Sequence, residues 1–308
     1  MRCERGQSTI EWVGMLSLVS LLLVGMLAAG VRVPGTALAD SVFEKILCAV
    51  SMADSCGDEP HLIAAYGTEV GKLANRHMPS ILFEDGSKAV PVNFRRCHST
   101  NCGDAPDEGL VRRTQRGLPL AAFVHVVDCR AGEAERTEAA GADCSGERAG
   151  NLYVQYWTYY ADSATLRGVP IIGRKGFHED DWESVQFRIR PDGSIDQRAS
   201  SHHGYNYELS KGNWISDAGI SPLRAISEWV GIRRRHGWGP ETSWLYVSGG
   251  SHAGNAKASS NRDRRTPSAS VHLIPLERIV ASGKVPDFAI GAPWTKEVWR
   301  NPEAEGTE

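Results

Sequence analysis

The chain has 308 residues, 41% of them hydrophobic, enough to bury a substantial core in one or two domains. Its 34 basic and 37 acidic residues nearly cancel, so no electrostatic pull toward nucleic acid is expected. Nothing in it has the form of a P-loop, a dinucleotide fingerprint or a nucleophile triad, which sets aside the enzymes built on those motifs.

The first predicted element is apolar. Trp12 to Val31 carries no charge and is long enough to cross a hydrocarbon core of about 30 Å. Arg2 and Arg5 precede it, so the short N-terminus is expected in the cytoplasm and the rest of the chain outside. Two processing readings compete. Cleavage after "ALA", Ala37 to Ala39, would release a secreted protein beginning at Asp40. The stretch "RGQSTIEWVG" instead resembles the class III leader of prepilins and pilin-like proteins of the tight-adherence type, which are cut after a glycine and carry a glutamate as the fifth mature residue. Here those positions are Gly6, Gln7 as the new terminus, and Glu11. The resemblance implies a leader and transmembrane anchor over residues 1–39, a single-pass cell-membrane protein, and pilin-like assembly partners.

Seven cysteines follow a pattern suited to export. Cys3 precedes the apolar run, and the other six fall as close pairs: Cys48 and Cys56, Cys97 and Cys102, Cys129 and Cys144. Six cysteines permit fifteen pairings, and sequence does not choose among them. None forms a CxxC motif, so an oxidised domain with short-loop disulfides is expected.

Residues 40–120 give weaker signals. Leu62 to Leu73 reads as a short amphipathic helix, and "SILFEDGSKAVPVNF" as a hairpin around Asp85-Gly86. The stretches "NCGDAPDEGLVRRTQRG" and Ala131 to Gly150 are polar, turn-rich loops. A β domain is expected over 121–300. It contains "AAFVHVVDC", "NLYVQYWTYY", "WESVQFRI", "SIDQRASSHH", "SWLYVSGG" and "SVHLIPL", separated by turn residues. Pro191-Asp192-Gly193 predicts a hairpin between the third and fourth, and only Pro222 to Gly231 reads as a helix. The expected fold is mainly β: an antiparallel β-sandwich with few short helices, preceded by one transmembrane helix.

The chemistry concentrates in "FHEDDWE". Counting back by twos from Ile189, Phe187 and Val185 places Glu183 and Asp181 on the same, core-facing side of the strand. An unpaired buried carboxylate is costly, so a bound cation is expected there. Two further polar clusters end strands: "SSHHGYN", with His202 and His203, and "SGGSHAGN", with His252. Asp162, His178, Asp181 and Glu183 form an oxygen-rich ligand set favouring magnesium, calcium or manganese. Converging histidines would favour zinc. A cation-free hydrogen-bond network is the structural alternative, with the small residues of "GSHAGN" packing His252 against a carboxylate. Tyr153, Tyr156, Trp157, Tyr159 and Tyr160 read as core, or as an aromatic binding strip. "IRRRHGW", Ile232 to Trp238, reads as a solvated loop, or as a contact for lipid phosphates or acidic glycans.

"HEDDWE" followed by "SHHGY" resembles the GHRHDWE heptapeptide and following segment of necrosis-inducing secreted proteins. With the later "GSHAGN", the order also resembles the vacuolar-sorting-associated family marked by HxGDWE and GSHA. The resemblance spans about 151–255 and implies a β-sandwich with a divalent cation held by His178, Asp181 and Glu183, and by Asp162 as the preceding aspartate. Phe177 and Asp180 depart from the heptapeptide.

The leading expectation is a membrane-anchored surface or envelope-associated binding protein with a divalent cation, whose partner is a glycan or lipid headgroup. Its rival is a metal-dependent hydrolase of an ester or phosphodiester, with His202 or His252 as base. A third reading, a secreted membrane-damaging effector, requires cleavage after Ala39.

Overall fold

The computed structural model describes residues 59–98, 102–164, 177–201, 204–207, 237–256 and 264–305. The apolar N-terminal run, the Cys48–Cys56 pair, His202, His203 and the Pro222–Gly231 helix lie outside the described residues. Among those described, no helix is long and apolar enough to cross a membrane.

Two β-sheets dominate, with only short helices around them. The larger contains β2 (Leu120–Asp128), β3 (Leu152–Ala164), β4 (Phe177–Ile189), β5 (Ile195–Ser201), β6 (Gly204–Asn206), β7 (Gly239–Pro240) and β11 (Val271–Pro275). Its order is β11-β2-β3-β4-β5-β6, and β7 also pairs with β5. The smaller sheet has the order β10-β1-β8-β9: β10 is Arg264–Thr266, β1 Ser80–Phe83, β8 Trp244–Val247 and β9 Gly254–Asn255. The expectation of purely antiparallel pairing is corrected, because β1 runs parallel to β8 and β11 parallel to β2. Both parallel partners lie far apart in sequence, where turn signals carry no information about pairing.

The predicted hairpin between β4 and β5 forms at Pro191-Asp192-Gly193, where the Gly193 and Arg190 amides close the turn and Ile189 faces Ile195. The hairpin expected around Asp85-Gly86 does not. The chain turns there, but β1 pairs with β10 and β8 instead of with the following residues. The helix expected over 62–73 is two helices, α1 (Glu59–Tyr66) and α2 (Thr68–Arg76), because Gly67 between them adopts φ 81°. Cys97–Cys102 and Cys129–Cys144 are disulfides, the second closing the loop that contains the short helix α3 (Ala134–Ala139).

The larger sheet is buried on both faces: β2 and β3 supply mostly apolar side chains, while β4 and β5 also bury Asp181, Ser184, Gln186, Gln197 and Arg198. One face contributes Val154, Tyr156, Tyr160, Val185 and Phe187 to a core shared with Ile81, Phe83, Leu245 and Val247 of the smaller sheet. Leu62, Val70 and Ala74 of α1 and α2 close this core from one side, so residues before 120 belong to it. The other face carries Phe123, Trp157, Tyr159 and Trp182, packed under α4 (Leu276–Ala281), α5 (Glu297–Arg300) and the segment between them. The tyrosines and tryptophan of β3 are therefore core residues, with exposures of at most 1%.

Two details set the layers in place. Arg198 is 2% exposed and lies between the rings of Tyr205 (4.0 Å) and Trp238 (4.4 Å). Its guanidinium donates to the carbonyls of Pro302 (2.5 Å) and Ala304 (2.9 Å), fastening the C-terminal segment over the outer face. Between the sheets, β9 lies against β5 at Gly254. A Cβ there would stand 2.9 Å from the Ala199 Cβ and 3.1 Å from the Ser200 carbonyl, closer than a side chain tolerates.

Candidate functional site

Strand register builds the site. Asp181 lies opposite Tyr160 and Glu183 opposite Thr158, on the same strand face as the core residues Val185 and Phe187. The two carboxylates therefore point between the sheets, as alternation predicts. Asp181 is 6% exposed, and its Oδ2 accepts a hydrogen bond from Nδ1 of His252 at 2.8 Å. His252 is 3% exposed, adopts φ 53° in the tight turn between β8 and β9, and stacks on the Tyr160 ring at 3.9 Å and 4°. A carboxylate cannot donate, so Nδ1 carries the proton and a neutral ring keeps its lone pair on Nε2.

Glu183 faces Ser200, whose hydroxyl donates to Oε2 and receives the Ser184 amide at 2.6 Å. Burial pushes the Glu183 carboxyl well above the usual range, and the negative charge of Asp181 adds to that shift. Asp162, two residues beyond Tyr160 on the same face of β3, is also raised by burial. His252 pulls it back, while Asp104 and Asp181 push it further up. Asp181 thus has a carboxylate on either side, Asp162 and Glu183, and one buried imidazole bonded to it.

His178 does not turn fully into this group. Its Nδ1 donates to the main-chain carbonyl of Asp180 at 2.7 Å, which leaves Nε2 as the acceptor nitrogen. Asp180 serves the opposite face. Its carboxylate accepts from the Tyr159 hydroxyl (2.5 Å) and the Ala289 amide (2.6 Å), and Nε2 of His98 stands 3.2 Å away. These bonds hold Asp180 at φ 57°, a conformation costing a non-glycine residue about 1–2 kcal/mol.

Asp181 therefore stands at the centre of the group, within electrostatic reach of Asp162 and Glu183 and bonded to His252, which also acts on Asp162. Among the described residues, no three carboxylate, imidazole or thiolate groups converge closely enough to hold a metal ion as they stand. The donor set suits a hard cation in kind, while Asp181 is engaged by His252 and His178 by a carbonyl. Among the described residues, the buried Asn255 side-chain amide has no hydrogen-bond partner. Sequence reasoning missed His98, Ser200 and Tyr160. Tyr160 shares the parity of Asp162, and His98 lies within the Cys97–Cys102 loop, but neither signal names a carboxylate partner.

No family model and no curated protein matches the chain. Among solved structures, "NLPPya in complex with mannosamine" aligns over 75% of this chain and 86% of that one, with a TM-score of 0.37 and 12% identity. A likeness that weak carries no functional argument, and the chain's own residues must supply it.

Proposed function

We propose that the protein is a membrane-anchored, extracytoplasmic β protein whose inward carboxylates take a divalent cation, and that it serves as a surface or envelope-associated binding protein. The observation that carries this reading is the group Asp162, Asp181 and Glu183, in which burial and the charge of Asp181 hold two carboxyls above the usual range despite His252 and His178 near Asp162 and Lys296 near Glu183. A divalent cation would replace the protons that burial otherwise favours, with Asp162, Asp181 and Glu183 as oxygen ligands and His178 available through Nε2. Magnesium, calcium or manganese suit that set, and zinc becomes competitive when both His178 and His252 join it. Bound there, the cation would offer coordination to an oxygen of a glycan or lipid headgroup. The anchor and the pilin-like partners rest on the Gly6–Glu11 leader pattern.

Melting of the full-length, detergent-solubilised chain tests the cation. Excess chelator is expected to lower the melting temperature, millimolar cation to restore it, and Asp181→Asn to abolish the response. Identical melting with chelator and with magnesium, calcium, manganese or zinc would dispose of the cation. The mature N-terminus tests the anchor: Gln7 in the membrane fraction supports it, and Asp40 in a soluble fraction refutes it.

The Asp181–His252 pair favours a second reading, a metal-dependent hydrolase. A carboxylate that fixes the proton on Nδ1 prepares Nε2 as a general base for water. Ester or phosphodiester cleavage that is lost in His252→Gln supports it. Equal rates in the wild type and that variant, with each of the four metals present, reject it.

A further inference from the structure

β11 and β2 pair in parallel from Val271 opposite Leu120 to Pro275 opposite Val124, and there they part, because α4 begins at Leu276. β2 runs on to Asp128, so β11 no longer covers its outer edge. Side chains take over part of the ladder. The Tyr66 hydroxyl donates to the Val124 carbonyl at 2.6 Å, the Val126 amide donates to Glu277 Oε1 at 3.1 Å, and Thr137 Oγ1 donates to the Asp128 carbonyl at 2.8 Å. Main-chain groups of alternate strand residues face one edge, so the Val126 carbonyl and the Asp128 amide face it as well. No described residue bonds either of them. They are the acceptor and donor that a single residue of a parallel neighbouring strand would engage.

Both residues line a cavity of about 600 Å³ between α1, α3, α4 and α5. Three carboxylates and three guanidinium groups line it, and they pair unevenly. Asp128 is held by Arg130 (2.8 Å), Glu133 by Arg136 (2.5 Å) and Glu277 by His125 (2.6 Å). Arg278 and Arg300 also line the cavity, are exposed, and meet no carboxylate among the described residues; Arg278 donates to the Ala64 carbonyl. An open main-chain donor–acceptor pair in a cavity with two guanidinium groups that meet no described carboxylate suits a ligand that is extended and acidic.

We propose that this cavity binds an extended acidic peptide, which adds to β2 as a short parallel strand where β11 leaves it. One peptide residue donates its amide to the Val126 carbonyl and accepts from the Asp128 amide, and its acidic neighbours pair with Arg278 and Arg300. The site is independent of the inter-sheet carboxylates. Residues 124–128 of β2 pair with 152–156 of β3, whereas Asp181 lies opposite Tyr160 near the other end of that strand.

The test uses the full-length chain in detergent and a fluorescein-labelled Asp-Val-Asp-Val-Asp peptide, read by anisotropy and by hydrogen exchange at the Asp128 amide. Saturable binding below about 1 mM, with Asp128 exchange slowed about tenfold or more, is expected. Methylating the central peptide amide is expected to weaken binding at least about tenfold, and the Arg278→Glu/Arg300→Glu double variant to lose it. A Lys-Val-Lys-Val-Lys peptide is expected not to compete. No saturable binding, equal binding of the methylated peptide, or equal binding of the lysine peptide each overturns the proposal. So does Asp128 protection that rises with protein concentration alone, which would mean that a second copy covers the edge. The methylated peptide requires no protein variant, and both arginines are exposed, so misfolding does not decide the outcome.

Discussion

Removing the Asp181 carboxylate has two opposed effects. It leaves the Nδ1–H of a His252 that is 3% exposed without its acceptor, a loss of about 1–3 kcal/mol. It also takes away one of three like charges, from which Glu183 and Asp162 gain. A single substitution confounds the two. A cycle of Asp181→Ala, His252→Ala and the double variant does not, because relief of repulsion enters both limbs and cancels. For a buried, charge-assisted bond the coupling is expected at about 2 kcal/mol. His252→Ala is expected to be the more damaging single change, since it also forfeits the stack on Tyr160, worth about 0.5–1.5 kcal/mol. In a fold of this size each kcal/mol shifts the melting temperature by roughly 2–4 °C, so the coupling reads as about 4–8 °C. The measurement is urea and thermal unfolding at neutral pH with chelator in excess. A coupling below about 0.5 kcal/mol would refute the pairing and with it the oriented imidazole.

Two further outcomes follow from the same geometry. The folded chain holds protons on Glu183 and Asp162 more tightly than the unfolded chain does, so these groups add most stability below the unfolded value near 4. That contribution is lost as pH rises through the unfolded value toward the raised folded one. Glu183→Gln is accordingly expected to flatten the pH dependence of the chelated protein, and a wild-type slope in the variant would count against the buried, raised carboxyl. Arg198→Met strips two buried carbonyls, Pro302 and Ala304, of their donor, at about 1–3 kcal/mol each. Relief of the buried guanidinium, whose pKa burial already lowers, offsets part of that. A net loss of about 2–4 kcal/mol is expected, with early tryptic release of the C-terminal segment; unchanged digestion would contradict the fastening role.

Local signals were legible where local physics decides the outcome. Period-two alternation placed Asp181 and Glu183 with Val185 and Phe187, and a Pro-Asp-Gly turn joined β4 to β5, bringing Ser200 to Glu183. The "GSHAGN" turn delivered His252 to a carboxylate, the structural alternative weighed for it. What failed was non-local. β1 finds its partners β8 and β10 more than a hundred and fifty residues away, and no hydrophobic period encodes that choice over a hairpin next door. Gly67 looked like one residue of an amphipathic run until its left-handed backbone divided the helix. The second core was hidden because much of its cover is irregular or in very short turns: Phe288 belongs to no strand or helix, yet with Trp294 it packs on Trp182, and it also meets Tyr159. Asp180, which departs from the heptapeptide, has a left-handed φ and two donors, Tyr159 and Ala289, that assign it to the other face.

The closeness of β9 to β5 has a consequence for ancestry. With no room for a methyl at position 254, the gap that admits His252 beside Asp181 depends on a residue without a side chain. Descendants of this gene that keep the pair must keep His-x-Gly after one strand and Asp-x-Glu within another, however far the remaining letters drift. Kinship would then survive as four residues at two distant places in the chain, invisible to overall identity and legible to anyone aligning by that sparse pattern.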